Sequence, residues 1–369
     1  MPGDFIPAHG GQLRELASEF GIPETSLVDF SASINPQPPS GALVAALCDE
    51  IRTGKILTSY PDIHYSQLKQ AVASYARVDV SAIAVGNGVM PLLDAAIRSL
   101  GANKCLVPFP AFAEYRRVLA ACRSECCALI LSPQDGFQID PERLLFELKT
   151  CGAQALLLAN PQNPSGLLIP AEELDRLREA AHALGATTIV DEAFIDYAPG
   201  ESLSERAAKS RGLVILRSLT KFFAMPGLRV AFAVAHPQVR AAMDSLIPAW
   251  PIDSIAAAAA RLALEDRVYI SRTRAANAAE RDWLADRLQA IGLVVFPSHA
   301  NFLLVKVGPD QSGHEFWRRL IEEHGVVIRA CANFEGLDER YFRVGVRARS
   351  ENQVLIEGLA GALRSRPVD

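Results

Sequence analysis

Neither a CxxC pair nor an HxxxH or HExxH motif occurs in this chain, although it carries seven cysteines and seven histidines. Structural zinc sites and zinc hydrolases need such spacings, so no metal is expected. The cysteines are odd in number and scattered, and the adjacent Cys126 and Cys127 cannot easily bridge each other. They read as small core residues of a reducing compartment rather than as a disulfide framework. Runs of lysine or arginine are also missing. With a net charge of −5, the chain offers no basic footprint for nucleic acid or an anionic membrane surface. Long apolar runs are interrupted by Arg, Asp or Pro well short of the ~20 residues of a membrane span. The opening residues, MPGDFIPAHGGQLREL, have neither the basic nor the apolar region of a signal peptide, and the expected location is cytoplasmic. No internal repeat or low-complexity linker stands out.

What remains is the composition of an ordinary soluble protein: 369 residues, 50% hydrophobic and 21% charged, long enough for two lobes. From about 80 to 235, short apolar runs alternate with segments of helical period. AIAV (82–85), CLVPF (105–109), CALIL (127–131), ALLLAN (155–160), TTIV (187–190), LVIL (213–216) and RVAFAVA (229–235) read as strands. Between them, patterns such as PAEELDRLREAAHAL place Leu174, Leu177, Ala181 and Leu184 on one helical face. The alternation predicts an α/β domain with a mostly parallel sheet buried on both faces. Beyond Val239 the texture changes to one long helical stretch (255–291) followed by short strands and helices, a smaller α+β domain. The expected division is 46–240 for the large domain, and 1–45 with 241–369 for the small one.

In α/β sheets ligands bind at the carboxyl ends of strands, and there the polar residues concentrate. Lys221 follows VILRSLT and precedes Phe222 and Phe223. An ammonium between apolar runs costs desolvation energy unless it is paired, neutral or covalently used. Taken alone it reads as a snorkelling or ion-paired lysine. GNGVMP (86–91) opens a helix and suits an anion cradle, since glycines admit close backbone approach and a helix start presents free N–H groups. Pro91 stands where a dinucleotide fingerprint needs a third glycine, which argues against NAD. NPQNPSG (160–166) doubles an Asn-Pro turn. Asp191, ending an apolar strand in DEAFIDY, needs a partner that a protonated heterocycle would supply. Separately these are turns, caps and ion pairs. Together they supply a lysine for covalent attachment, an acid for a pyridine nitrogen, a donor for a ring oxygen and a phosphate cup, the needs of pyridoxal 5′-phosphate.

The order of Gly-rich loop, NPxNPxG, Asp, SxTK and Arg229 resembles the fold-type I PLP-dependent aminotransferase superfamily over nearly the whole chain. The resemblance implies that Lys221 carries the cofactor, that Asp191 partners its ring nitrogen and that Asn163 donates to the ring oxygen. It further implies a phosphate cup of Gly88, Val89, Ser218, Thr220 and Arg229, with Phe112 stacked on the ring. Tyr60, in SYPD, resembles the tyrosine that reaches the cofactor phosphate of a second subunit, which implies a homodimer with its active site at the interface.

HGGQLREL (9–16), VDFSASINPQPP (28–39), YPDIHYSQLKQAVA (60–73) and VIRACANFEGLDERYFRVGVR (327–347) resemble the L-threonine-O-3-phosphate decarboxylases of cobalamin biosynthesis. Gln12 departs from the asparagine expected there. A substrate bearing a carboxylate and a phosphate needs two cationic forks. The resemblance implies Arg343 for the carboxylate, Arg329 and His9 for the phosphate, and backbone around Ser33 and Ile34 closing over the substrate, with Asn35 in the same lid. Arg347 reads as a solvated strand-edge charge. The implied reaction is decarboxylation to (R)-1-amino-2-propanol phosphate. The alternative is a histidinol-phosphate or related amino acid aminotransferase, because orientation of the bond broken at Cα separates the two outcomes.

Overall fold

In the computed structural model, which describes residues 7, 9–309 and 311–364, the apolar runs between 83 and 235 form one seven-stranded sheet. Its order is Ile83–Gly86, Ala231–Ala235, Leu213–Ser218, Thr187–Asp191, Ala155–Ala159, Lys104–Phe109 and Glu125–Ile130. Ala231–Ala235 runs antiparallel to both neighbours, and the other pairings are parallel. Period-two alternation sends Leu156 and Leu158 into one core and Ala155 and Leu157 into the other. Each fully buried leucine of this kind contributes ~1.5–3 kcal/mol. Burial on both faces keeps the inner strands almost wholly apolar, so that Asp191 and Ser218 stand out at their carboxyl ends, whereas the edge strand Glu125–Ile130 is largely exposed.

A second sheet, ordered Arg329–Ala330, Tyr341–Gly345, Phe302–Lys306 and Val294–Val295, is wholly antiparallel. It shares a core with the helices Gly313–His324 and Arg349–Arg364 through Phe316, Leu320, Leu355 and Leu359. Val28–Asp29 pairs in parallel with Val326–Val327, which ties the N-terminal segment to this body. Within 1–45, residues 1–6 and 8 lie outside the described residues.

The single helix expected over 255–291 is two helices, Ser254–Glu265 and Arg267–Ala290. Asp266 divides them because its side chain accepts the Tyr269 N–H and caps the second helix. The alanine face of the first, including Ala256, Ala259 and Ala263, packs in one core with Leu68 and Val72. Among the described residues no helix is long and apolar enough to cross a membrane, and the seven cysteines are free.

Candidate active site

A cavity of about 410 Å³ opens where Thr187–Asp191 and Leu213–Ser218 end. Its lining brings together, from distant parts of the sequence, Lys221, Asp191, Asn163, Phe112, Gly88, Val89, Ser218, Thr220 and Arg229. His9, Ser33, Arg329 and Arg343 reach the same space.

Lys221 sits in a turn whose two phenylalanines face inward. Phe222 and Phe223 are buried and meet edge to face at 5.1 Å, which leaves the lysine side chain the cavity. The turn is clamped from the N-terminal segment: the Asn35 N–H donates to the Lys221 carbonyl at 3.1 Å. The Asn35 side chain donates to the Phe222 carbonyl at 2.9 Å and to the Tyr269 hydroxyl at 2.8 Å. Asn35, expected in a lid, thus holds the lysine turn from below. Burial, with Arg343 and Arg229 nearby, pulls the Lys221 ammonium down to about 8, so an appreciable fraction is neutral and nucleophilic at neutral pH.

Asp191 is buried, and burial pushes its carboxyl up to about 6. Two donors oppose that shift. The Tyr115 hydroxyl donates to Oδ2 at 2.7 Å and the Ala193 N–H donates to Oδ1 at 3.0 Å. Together they fix the carboxylate plane. Tyr115 in turn stands edge-on to Phe112, ring centroids 5.9 Å apart at 90°.

The anion cradle forms around Gly88, which precedes the helix Val89–Leu100 with φ +86°. The backbone angle requires glycine, and a Cβ there would also crowd Arg229, lying 3.0 Å from its Nη2. The hydroxyls of Ser218 and Thr220 are 2.8 Å apart on the facing side. A helix start, a guanidinium and two hydroxyls fit a phosphate, and the buried Asp191 fits a heterocyclic N–H⁺. The residues present therefore suit pyridoxal 5′-phosphate. Among the described residues no cluster suits a metal ion.

Two arginines close the opposite side. Arg329 and Arg343 are directly opposed across the antiparallel pair Arg329–Ala330 and Tyr341–Gly345, and both are buried. Arg343 donates to Asn163 Oδ1 at 2.5 Å and to the Ser31 carbonyl at 3.0 Å. With its oxygen engaged, the Asn163 amide keeps its NH₂ for another acceptor. Burial lowers both guanidinium groups, Arg343 to about 10. Like charges opposed on one sheet face are unfavourable, and both guanidinium groups border the cavity.

His9 approaches from the rim, its Nε2 3.2 Å from Glu114 Oε1 and its ring 6.1 Å from that of Phe112. The Gly11 N–H donates to Ser31 Oγ at 2.9 Å. A Cβ on Gly10 would meet the Ser31 carbonyl oxygen at 2.2 Å, so only glycine permits this close approach.

Two expected residues lie elsewhere. Ile34 is half-buried beside Ser33 and outside the cavity lining. Tyr60 is 82% exposed, stacked on Trp250 at 4.7 Å, and borders a separate cavity. Arg347 is no solvated edge charge: it pairs with Glu351 at 2.6 Å, donates to the Asp29 carbonyl and lies over Phe30. Sequence reasoning missed Tyr115, Glu114, Phe194 and Phe334, all in the lining. For Tyr115 one signal was available, a lone phenol on the buried face of a helix starting just after Phe112, which lines the cavity.

The family model for aminotransferase class I and II matches residues 25–359. The threonine-phosphate decarboxylase of Salmonella typhimurium is 34% identical, covering 97% of this chain and 97% of its own. A putative threonine-phosphate decarboxylase of Caldanaerobacter subterraneus subsp. tengcongensis is 35% identical over 83% of each. The crystal structure of the histidinol-phosphate aminotransferase from Clostridium acetobutylicum superposes with a TM-score of 0.84 at 29% identity, covering 91% of this chain and 98% of that one. With a seven-stranded sheet of the expected kind, a lysine and an aspartate converging at its strand ends, and these matches along nearly its full length, the chain belongs to the class I and II aminotransferase family.

Proposed function

We propose that this protein is a pyridoxal 5′-phosphate-dependent decarboxylase that converts L-threonine O-3-phosphate to (R)-1-amino-2-propanol phosphate and CO₂ in cobalamin biosynthesis. The observation that carries the reading is the buried cross-strand pair Arg329 and Arg343 facing the cavity of Lys221 and Asp191. Two guanidinium forks held at a fixed separation suit a substrate with two anionic groups. The threonine-phosphate decarboxylase relatives at 34% and 35% identity support the same choice.

When bound, the cofactor supplies a conjugated, protonated ring that accepts the electron pair of the bond broken at Cα. Lys221 Nζ holds it covalently, and Asp191 keeps the proton on its ring nitrogen. Gly88, Val89, Ser218, Thr220 and Arg229 hold its phosphate, Asn163 donates to its ring oxygen, and Phe112 covers its face. Arg343 grips the substrate carboxylate, while Arg329 and His9 take the substrate phosphate. The backbone at Ser33 excludes water above them. Lys221 Nζ, which borders the cavity, would be placed to return a proton to Cα after CO₂ departs.

The same proposal makes the enzyme a cytoplasmic homodimer. Tyr60, with Leu57 and Ile63 also exposed, forms the patch that a second subunit covers, and Tyr60 reaches the cofactor phosphate of that subunit. Residues 46–240 form the large domain, which the helix Ser254–Glu265 joins through its alanine face rather than falling in the small domain as expected, and 1–45 with the later part of 241–369 form the small one that carries both substrate arginines.

The test is an assay of the PLP-loaded enzyme with L-threonine phosphate, with and without 2-oxoglutarate. Release of CO₂ and aminopropanol phosphate without a keto acid supports the reading. Glutamate formed from histidinol phosphate and 2-oxoglutarate, with no CO₂, makes the protein an aminotransferase instead.

A further inference from the structure

Separated by two residues from the strand Arg329–Ala330, three consecutive residues, 333 to 335, touch that arginine or anchor what touches it. Arg329 Nη2 donates to Asn333 Oδ1 at 2.9 Å, and its guanidinium lies 5.1 Å from the centre of the Phe334 ring. Phe334 is buried and lines the cavity. Glu335 then accepts from Arg116 Nε at 2.9 Å and Nη2 at 2.5 Å, on the helix Glu114–Ala121. The Phe334 ring supports the face of the guanidinium, Asn333 and the Ala330 carbonyl, which accepts from Nη1, set its rotation, and Glu335 ties the segment to the other side of the cavity mouth. The Arg116–Glu335 pair is partly exposed and stabilises little by itself.

Asn333 is the informative member because it is exposed. It fills no core, so its contact with Arg329 is its main interaction with the site. An amide oxygen orients one N–H without cancelling the positive charge, whereas a carboxylate at that place would neutralise the fork. We propose that Asn333 is a specificity-determining residue that orients the Arg329 guanidinium toward the cavity without setting a carboxylate against it, and thereby selects phosphorylated over unphosphorylated amino acids. This rests on the reading of Arg329 as the substrate-phosphate arginine.

The experiment compares holoenzyme carrying Asn333→Asp or Asn333→Ala with the unsubstituted protein, using O-phospho-L-threonine and L-threonine as a pair. Binding is followed as the change in absorbance of the bound cofactor, a readout independent of which bond later breaks, and turnover is measured alongside. Asn333→Asp is expected to weaken binding of the phosphorylated amino acid by about tenfold or more, and Asn333→Ala by less. Affinity for L-threonine stays within about twofold, and KM for the phosphorylated substrate rises more than kcat falls. Equal weakening for both ligands, or none for either, overturns the proposal. If the unsubstituted enzyme binds both ligands equally, the reading of Arg329 itself fails. Selective binding without CO₂ release sinks only the choice of reaction.

Discussion

Replacing Tyr115 with phenylalanine removes one oxygen from a fully buried ring and leaves its edge-on contact with Phe112 in place. The hydroxyl lost is one of two donors to Asp191. A hydrogen bond to a charged acceptor is worth ~1.5–3 kcal/mol, and ~1.4 kcal/mol corresponds to one pKa unit. The Asp191 carboxyl, already held at about 6 by burial, should therefore rise by about one to two units. In cofactor-free enzyme at pH 7, the carboxylate goes from about nine-tenths ionised to about half or less. Only the ionised form pairs with a protonated ring nitrogen, so cofactor affinity in both proteins increases with pH through the Asp191 pKa. Titrating PLP binding from pH 5 to 9 should show the plateau displaced upward by one to two units in the variant. The stability of the cofactor-free protein checks the sign independently. A carboxyl raised above its ordinary 3.8 contributes stability that is present below that value and lost as pH rises through the folded pKa. In Tyr115→Phe that loss extends to higher pH. Unchanged binding and stability profiles would refute the idea that this phenol supports the carboxylate.

Three further expectations rest on single contacts. Covalent attachment of PLP should accelerate about tenfold per pH unit until it levels near the Lys221 pKa of about 8, and Lys221→Ala should abolish the bond in a reduction-trapping experiment. Gly88→Ala places a Cβ 3.0 Å from Arg229 Nη2 at φ +86°. PLP affinity should fall and the melting temperature drop by a few degrees, since an alanine at this glycine-only backbone angle (φ +86°, ψ 171°) carries ~1–3 kcal/mol of strain. Arg217 and Asp196 form a fully buried pair that also receives the Tyr75 hydroxyl at 2.6 Å. Arg217→Met should cost ~3–5 kcal/mol in urea unfolding by stranding the carboxylate, and Arg217→Met with Asp196→Leu should recover much of it.

The parallel strands and the residues at their ends were legible because burial on both faces leaves few positions where a polar side chain can stand, and those positions are chemical. Lys221, Asp191 and Asn163 could be found this way. Strand direction could not: Ala231–Ala235 is as apolar as its neighbours, and nothing in an all-buried run says that it lies antiparallel between Ile83–Gly86 and Leu213–Ser218. The break at Asp266 went unseen because an aspartate within a helical pattern reads equally as a surface charge. Tyr115 escaped because a hydroxyl on an apolar helix face acquires meaning only when the partner carboxylate, 76 positions away, is placed against it. Arg347 was misjudged for the same reason, since Asp29 and Phe30 reach it from the far end of the chain.

The opposition of Arg329 and Arg343 across two strands also makes the site a ruler with whole-number divisions. Positions facing each other on an antiparallel ladder have Cα atoms ~4.5–5.5 Å apart, and the strands cannot slide by a fraction of a residue. A slip of one would turn Arg329 to the opposite face. On the proposed assignment of these arginines to the two anionic groups of the substrate, its length therefore cannot drift gradually by adjusting the frame. A longer or shorter doubly charged amino acid would have to be accommodated by exchanging the side chains mounted at these two positions, which makes them the place to begin any redesign of what the enzyme accepts.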